Sequence, residues 1–436
     1  MIRTFMNRLC VSFAMLLFGL AFALHGAEVP PQLTLERAHE LALKNHPRIR
    51  VADLAALAAR QAAREARSAY FPNLFANMMS VGTSEDNTRL AAVGGLNNPA
   101  IFDRNAEGLI LSQLITDFGR TANLAGSANL EARAEENNAQ ATREQILLAV
   151  DNAFFAAEQA LAVTQVARQT IATRQLFLEQ VTALASNKLR SELDVSFAQV
   201  NVQDAQILLS KSQNDLDAAF AQLSDLLGLR TPAQFQLVVP PLRPEVSTNV
   251  SDFVQRALVL RPDLLRLRNQ READLKYARA QWDARLPAIS AIGAAGVVPI
   301  HDPELPDYYA AAGVSVSVPL FAGGFYAARQ HEAELRAQAA AESLRDAENN
   351  VIRDVRIAWL NTRNAYERLG ITQKLLENAQ KSLDLAKARY KNGISSIVEF
   401  NQAELNFVSA QITYAETQYE CQVQRSALAY QTGSLH

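Results

Sequence analysis

Few side chains in this sequence are arranged for chemistry. Its six histidines show no metal-ligand spacing. His301, Asp302, Glu304 and Asp307 crowd one short segment and carry the donors a cation needs, but a solvated loop, stiffened by Pro303 and Pro306, is the simpler account. Asp117-Phe118-Gly119 has the form of a kinase metal-binding tripeptide, yet no nucleotide loop or catalytic loop accompanies it. No nucleophile stands beside a base in a familiar pattern. Of the two cysteines, Cys10 lies in the leading segment, so Cys421 is alone in the mature chain and reads as a small buried apolar residue. No enzyme activity, metal or cofactor is therefore expected.

Architecture is the stronger clue. The stretch from about 33 to 228 recurs as the stretch from about 248 to 433. Pro47 maps to Pro262 and Pro72 to Pro287, both at one offset. Gly119 then maps to Gly324, Asp194 to Glu399 and Gly228 to Gly433, all at a second, shorter offset. A single ten-residue length change separates the copies. The expected organisation is a first repeat over 28–238, a linker at 239–247 and a second repeat over 248–436. Residues 1–27 read as a secretory signal: Arg3 and Arg8 lead an apolar stretch from Leu9 to Leu24, with cleavage near Ala21-Phe22-Ala23 or after Ala27. The net charge of −3 excludes a broad cationic face and with it nucleic acid as a partner. Beyond the signal no uninterrupted apolar run reaches the roughly 18 residues that a bilayer span needs, so no transmembrane helix is expected. An exported chain of this kind is periplasmic, secreted or part of an outer-membrane barrel.

The elements follow from helix breakers and periodicity. From Ser127 to Leu227 there is no glycine or proline, and the strong helix formers dominate. Helices are expected at about 119–186, 193–228, 324–391 and 397–432, with turns at Asn187-Lys188 and Asn392-Gly393. Lysine at the glycine position makes the first turn tighter, strained or simply different. A helix of ~68 residues runs about 100 Å, too long for a compact core, so such helices must pack as coiled coils or build a tube. Shorter helices precede Pro47 and Pro262 and resume to about Ala69 and Arg285. Four strands are expected, at 72–82, 108–115, 287–298 and 313–320, each pair flanking a polar loop at 83–106 or 300–309. Their length suits a membrane-spanning strand. Four strands cannot close a barrel, whereas a cyclic trimer would supply twelve strands and a twelve-helix tube. The alternative is a soluble periplasmic coiled-coil scaffold with buried hairpins.

Several motifs, in order and in duplicate, resemble the TolC-like outer-membrane efflux proteins over essentially the whole mature chain. Leu33-Thr34-Leu35-Glu36-Arg37-Ala38 leading to Asn45-His46-Pro47 is similar to that family's opening, echoed at Arg261-Pro262-Asp263. Pro319-Leu320-Phe321-Ala322-Gly323-Gly324 resembles its strand-to-helix junction, mirrored by Thr116-Asp117-Phe118-Gly119. Tyr390-Lys391-Asn392-Gly393 with Ile397-Val398-Glu399 and Ala403, and Ser191-Glu192-Leu193-Asp194 with Ala198, resemble its helical tips.

The resemblance implies a mainly α fold with a small β part. Long antiparallel coiled-coil helices would form an α-barrel tunnel, and the four strands would join a trimeric 12-stranded outer-membrane β-barrel. It implies a homotrimer in outer-membrane lipid with its helices in the periplasm, docked to a periplasmic adaptor protein and an inner-membrane pump. The function implied is the exit duct of a tripartite export system, for small-molecule efflux or, alternatively, type I protein secretion. Glu399, with Asp194 in the other copy, falls where the family's acids line a constriction. Gln402 replaces the second acid and lowers the expected charge. Ser395 stands where a latch arginine is common, so that form of salt bridge is not expected, while Tyr390 matches a latch tyrosine. Asn187, Lys188, Gly393, Ile394 and Ser395 would form the adaptor-docking tip, and Gly119, Gly323 and Gly324 the strand-helix junction.

Overall fold

The computed structural model describes residues 31–81, 104–231, 233–242, 249–300 and 306–435. The expected signal at 1–27, the 83–103 stretch of the first polar loop, linker residues 243–247 and the group His301, Asp302, Pro303 and Glu304 lie outside the described residues.

The chain opens with β1 (Gln32–Thr34), α1 (Leu35–Asn45) and α2 (Pro47–Ser68). Proline suits the first position of α2 because its missing N–H would be unpaired there anyway, and His46 Nδ1 accepts the Arg48 N–H at 3.2 Å. β2 (Asn73–Val81), β3 (Arg104–Thr116), α3 (Arg120–Ser186) and α4 (Glu192–Leu226) complete the first copy. After β4 (Gln236–Val238), the second copy contains α5 (Val250–Leu260), α6 (Pro262–Asp283), β5 (Ala288–Ile300), β6 (Tyr308–Ser317), α7 (Phe325–Lys391) and α8 (Ile397–Gln431). α7 and α8 begin and end at residues that stand at one constant offset from the limits of α3 and α4. The duplication is thus one of three-dimensional elements.

The chain packs as two compact units. The first comprises the described residues up to Lys44, with Ala153–Arg243 and Leu376–Tyr419; the second comprises Asn45–Asn152, Pro244–Leu375 and the residues from Glu420 on. In the first unit β1 and β4 pair in parallel, Leu33 opposite Leu237, with both leucines buried. These three-residue strands were not anticipated, being too short to show a period. The second unit holds one antiparallel sheet in the order β2-β3-β5-β6, with Leu109 opposite Ala295 and Ala291 opposite Val314. β3 begins at Arg104, inside the stretch expected as polar loop, because Arg104 and Asn105 pair with Val81 and Ser80 of β2. β6 begins at Tyr308 and stops at Ser317, earlier at both ends than its alternating sequence suggested; Pro319 cannot extend the ladder. Among the described residues the edges β2 and β6 are unpaired, and large apolar side chains such as Phe75, Met78, Val314 and Val316 are exposed.

The long helices bury a narrow seam. In α7 every seventh residue is buried: Ala337, Leu344, Val351, Ala358, Ala365, Thr372, Ala379 and Ala386. A strict seven-residue repeat is the signature of a left-handed coiled coil, and the many alanines let helix backbones approach closely. The seam of α3 runs through Ala125, Ala132, Ala139, Ile146, Ala153, Ala167, Arg174 and Val181, and one of its members is a charge. Within the second unit, polar ties add to the seams. Arg143 meets Asp53 (2.5 Å), Arg268 meets Glu348 (2.9 Å), and the buried Thr362 hydroxyl donates to Gln424 O (3.0 Å). α3 does contain an 18-residue window apolar enough to cross a membrane, with mean hydropathy 1.5, but half of that window is buried inside the fold. At 67 residues the helix is about 100 Å long, about three times the hydrocarbon thickness. The apolar window therefore reads as packing surface.

Candidate functional site at the hairpin tips

Both long hairpins turn within the first unit. α3 and α7 end because the chain enters the left-handed region: Lys188 has φ of +60° and Gly393 of +72°. Lys188 N donates to Ala185 O and Leu189 N to Leu184 O, both at 2.9 Å; Gly393 N donates to Tyr390 O (3.0 Å) and Ile394 N to Arg389 O (2.9 Å). This is the Schellman closure, made twice. The lysine turn therefore has the glycine turn's geometry and carries a steric cost of about 1–2 kcal/mol. Asn187 and Asn392 each donate a side-chain N–H back to their helix, to Ala183 O (2.8 Å) and Ala388 O (2.9 Å). Leu189 and Ile394 are left 69% and 67% exposed. Leu189 escaped the sequence reading although it is the first-copy counterpart of Ile394.

The two acids occupy equivalent places. The Ser191 hydroxyl accepts the Asp194 N–H (3.3 Å) and the Ser396 hydroxyl the Glu399 N–H (3.4 Å). Each acid is thus the third residue of its helix in a Ser-x-x-acid start, where the helix dipole favours negative charge. Asp194 is half-buried and Glu399 exposed. Glu399 Oε1 also meets Arg389 Nε, in the last turn of α7, at 3.0 Å. Gln402 is exposed and donates to Asn406 Oδ1 (3.0 Å).

Just behind the turns the two hairpins are knitted around Tyr390, one of the expected latch residues, by side chains that the sequence did not flag. Tyr390 is buried with Ile397 and Phe400, and Phe177 of α3 packs against them, its ring centroid 4.6 Å from Phe400 and 5.7 Å from Tyr390. Arg190 lies over the Tyr390 ring, 4.2 Å from its centroid, and donates from Nη2 to Tyr390 O at 2.7 Å. Burial pushes the Tyr390 phenol above its usual pKa; Arg190 pulls it down and Asp194 raises it again. The Tyr390 and Ser395 hydroxyls are buried and have no hydrogen-bond partner among the described residues. Deeper along the pair, Arg174 Nε meets Glu404 Oε1 (3.4 Å), their side chains only 9% and 8% exposed, and Arg174 Nη1 donates to Asn201 O (2.7 Å). Burial raises the Glu404 carboxyl even though Arg174 and Lys387 draw it down.

One of these residues had left a signal. Ser395 lacks the arginine of the expected latch, and its counterpart in the first copy is Arg190. Arg174, Phe177, Phe400, Glu404 and Arg389 carried none, since a charge or a ring on a helical stripe does not announce its partner.

The junction glycines lie in the second unit. Phe118 and Gly119 have φ of +54° and +119°, and Gly323 and Gly324 have +57° and +84°, the same bend made twice. Asp117 Oδ2 accepts from Thr121 N (2.8 Å) and Thr121 Oγ1 (2.6 Å). The kinase-like tripeptide is therefore the start of a helix. Among the described residues no group of three His, Cys, Asp or Glu is placed to hold a metal ion.

A duplicated pair of long coiled-coil hairpins, opened by a small antiparallel sheet with free edges, defines the class of outer-membrane channel subunits. The family model described as outer membrane efflux protein matches residues 38–229 and again 253–434, and the chain belongs to that family. Its relatives include the outer membrane protein OprJ of Pseudomonas aeruginosa, 25% identical over 400 residues, covering 89% of this chain and 81% of OprJ. The outer membrane protein TolC of Escherichia coli is 23% identical over 418 residues, covering 92% of this chain and 82% of TolC. Among solved structures, CusC, described in terms of transmembrane channel formation, superposes with a TM-score of 0.79 at 21% identity, covering 92% of each chain. This protein is accordingly an export channel of the outer membrane, and the scaffold alternative falls.

Proposed function

We propose that three copies of this chain form a conduit that carries small molecules from a periplasmic adaptor and an inner-membrane pump out of the cell, acting as a passage and not as a catalyst. The observation that carries the reading is the sheet β2-β3-β5-β6, which among the described residues has two unpaired edges and exposed apolar side chains. Such edges cannot face lipid, because unpaired backbone groups cost several kcal/mol there. Four strands from each of three copies close a twelve-stranded barrel. The same arrangement brings three pairs of tips together, with Asp194, Glu399 and Gln402 lining the throat and Tyr390 and Ser395 behind it. The exposed surface of Asn187, Lys188, Leu189, Gly393 and Ile394 is left for an adaptor.

The test is conductance of the purified mature protein in planar lipid bilayers, with Glu399→Gln alongside. Discrete channels whose cation preference falls in the variant support the conduit and its throat. Folded, membrane-inserted protein that never conducts, even after limited trimming of the tips, overturns it. For cargo, a strain lacking the protein should become sensitive to small toxic compounds. Loss of a secreted protein with unchanged sensitivity would reassign the duct to protein export.

A further inference from the structure

The two throat acids, equivalent in position, differ in company. In an antiparallel helical hairpin, residues equally far from the turn face each other, and Arg389 and Glu399 lie five residues either side of Ile394. Their side chains meet at 3.0 Å, Nε to Oε1. In the first copy the corresponding pair about Leu189 is Leu184 and Asp194, so an apolar residue stands where the arginine would be. Gln402, one turn further along α8, is neutral, and its first-copy counterpart is Phe197. A contact of 3.0 Å lies well inside the Debye length of about 8–10 Å, so salt screens the attraction only in part.

We propose that Arg389 is the counter-charge that sets the ion selectivity of the throat. By neutralising Glu399 it leaves Asp194, which has no ion-pair partner among the described residues, as the uncompensated acid of the throat, and so keeps the duct passable to anionic and neutral solutes as well as to cations. The proposal rests on the placement of Glu399 in the throat argued above. Geometry supports a role beyond stability, because the pair is about half exposed, with side-chain accessibilities of 53% and 46%, and an ion pair so wetted contributes little to folding. Placing Arg389 near the end of α7 also satisfies the helix dipole, which explains why a cation is tolerated there but not why it points at Glu399.

Reversal potentials in a potassium chloride gradient test it with four proteins in addition to the wild type. In water, one unit charge from each of three copies, about 7 Å from the ion path and screened over a Debye length of about 10 Å, changes the population of each ion about 4.5-fold, in opposite directions for the two signs. Arg389→Gln should therefore raise the potassium-to-chloride permeability ratio about twentyfold. Glu399→Gln should lower the ratio by a similar factor, since it leaves Arg389 unpaired. The double variant Arg389→Gln/Glu399→Gln should return to the wild-type ratio. Lys391→Gln, which removes the same charge two residues further on, should leave the ratio nearly unchanged. If Arg389→Gln matches the wild type while Glu399→Gln shifts, the counter-charge is refuted and the throat stands. If neither shifts, Glu399 is not in the throat and the underlying reading falls as well. If Lys391→Gln shifts the ratio as much as Arg389→Gln, selectivity follows general tip charge and the specific pairing is refuted. Should Arg389→Gln fail to fold, Arg389→Lys with Glu399→Asp decides: a ratio unlike the wild type's overturns the proposal.

Discussion

Where the first hairpin turns at Lys188, the second turns at Gly393 with the same two hydrogen bonds and the same left-handed φ, yet the side chains around the turns have exchanged roles. Arg190 faces Tyr390, whereas the counterparts of these two residues are Ser395 and Ala185. Arg174 meets Glu404, whereas their counterparts are Ala379 and Gln199. Each contact takes one member from each copy. Duplication supplied two hairpins of one shape, and divergence made them complementary, so that each of these first-copy cations finds its partner on the second copy. A seam of alanines alone would allow hairpins to slide by a heptad at little cost. A charge at Arg174, satisfied in one register, forbids the slide.

That comparison breaks most severely at Glu404. Glu404→Ala leaves Arg174 buried without its counter-charge and should cost about 3–5 kcal/mol, read as a lowered denaturant midpoint by far-UV circular dichroism. Replacing both residues, Arg174→Met with Glu404→Leu, should restore most of that stability while loosening hairpin register. If the single variant is as stable as the wild type, the pair does not hold the hairpins.

The next largest effect comes from a site where the copies differ in sign. Glu158 of α3 is buried and its Oε1 lacks a partner among the described residues, while its counterpart Arg363 lies over the Trp359 ring. Burial pushes the Glu158 carboxyl up to about 7 from 4.5. The native state therefore binds this proton more tightly than the unfolded chain does. Its contribution is greatest below pH 4.5 and is lost as pH rises to about 7, a decline of about 3 kcal/mol. Glu158→Gln should flatten this component of the stability profile between about pH 5 and 8 and raise the midpoint at the alkaline end. An unchanged slope in the variant would show that Glu158 is ionised at no cost.

What could be read from residues alone follows the same divide. Helix limits were legible to within a residue or two because glycine, proline and asparagine punctuate a long stretch of helix formers, and the duplication checked each limit against its twin. The strands were placed but misjudged at their ends, since Ala-rich segments such as Tyr308–Ala312 alternate too weakly to show a face. Glu399 and Asp194 were singled out by position. Arg389 was not, because its significance arises only when α7 and α8 fold back on each other. Cross-copy contacts such as Phe177 with Phe400 lie beyond any periodicity, as they depend on how one hairpin meets the other.

Smaller effects sharpen the comparison at the turns themselves. Arg190→Ala removes a hydrogen bond to Tyr390 O and a cation over its ring, and should cost about 1–2 kcal/mol. Ser395→Arg, which places the cation on the other copy, should not repair it, because Ala185 offers no ring in the corresponding place. The mildest change is the exchange of turn residues. Lys188→Gly relieves the left-handed strain but gives the unfolded chain more freedom, so it should stabilise by only about 0.5–1 kcal/mol. Gly393→Lys meets open space and pays the strain, offset in part by the freedom that the unfolded chain loses, a net loss of similar size. If the turns are truly one structure used twice, the double exchange returns the midpoint to the wild-type value. A double variant clearly less stable than the wild type would mean that Lys188 makes a contact at the first tip that glycine cannot replace, and the two turns would then be alike in backbone only.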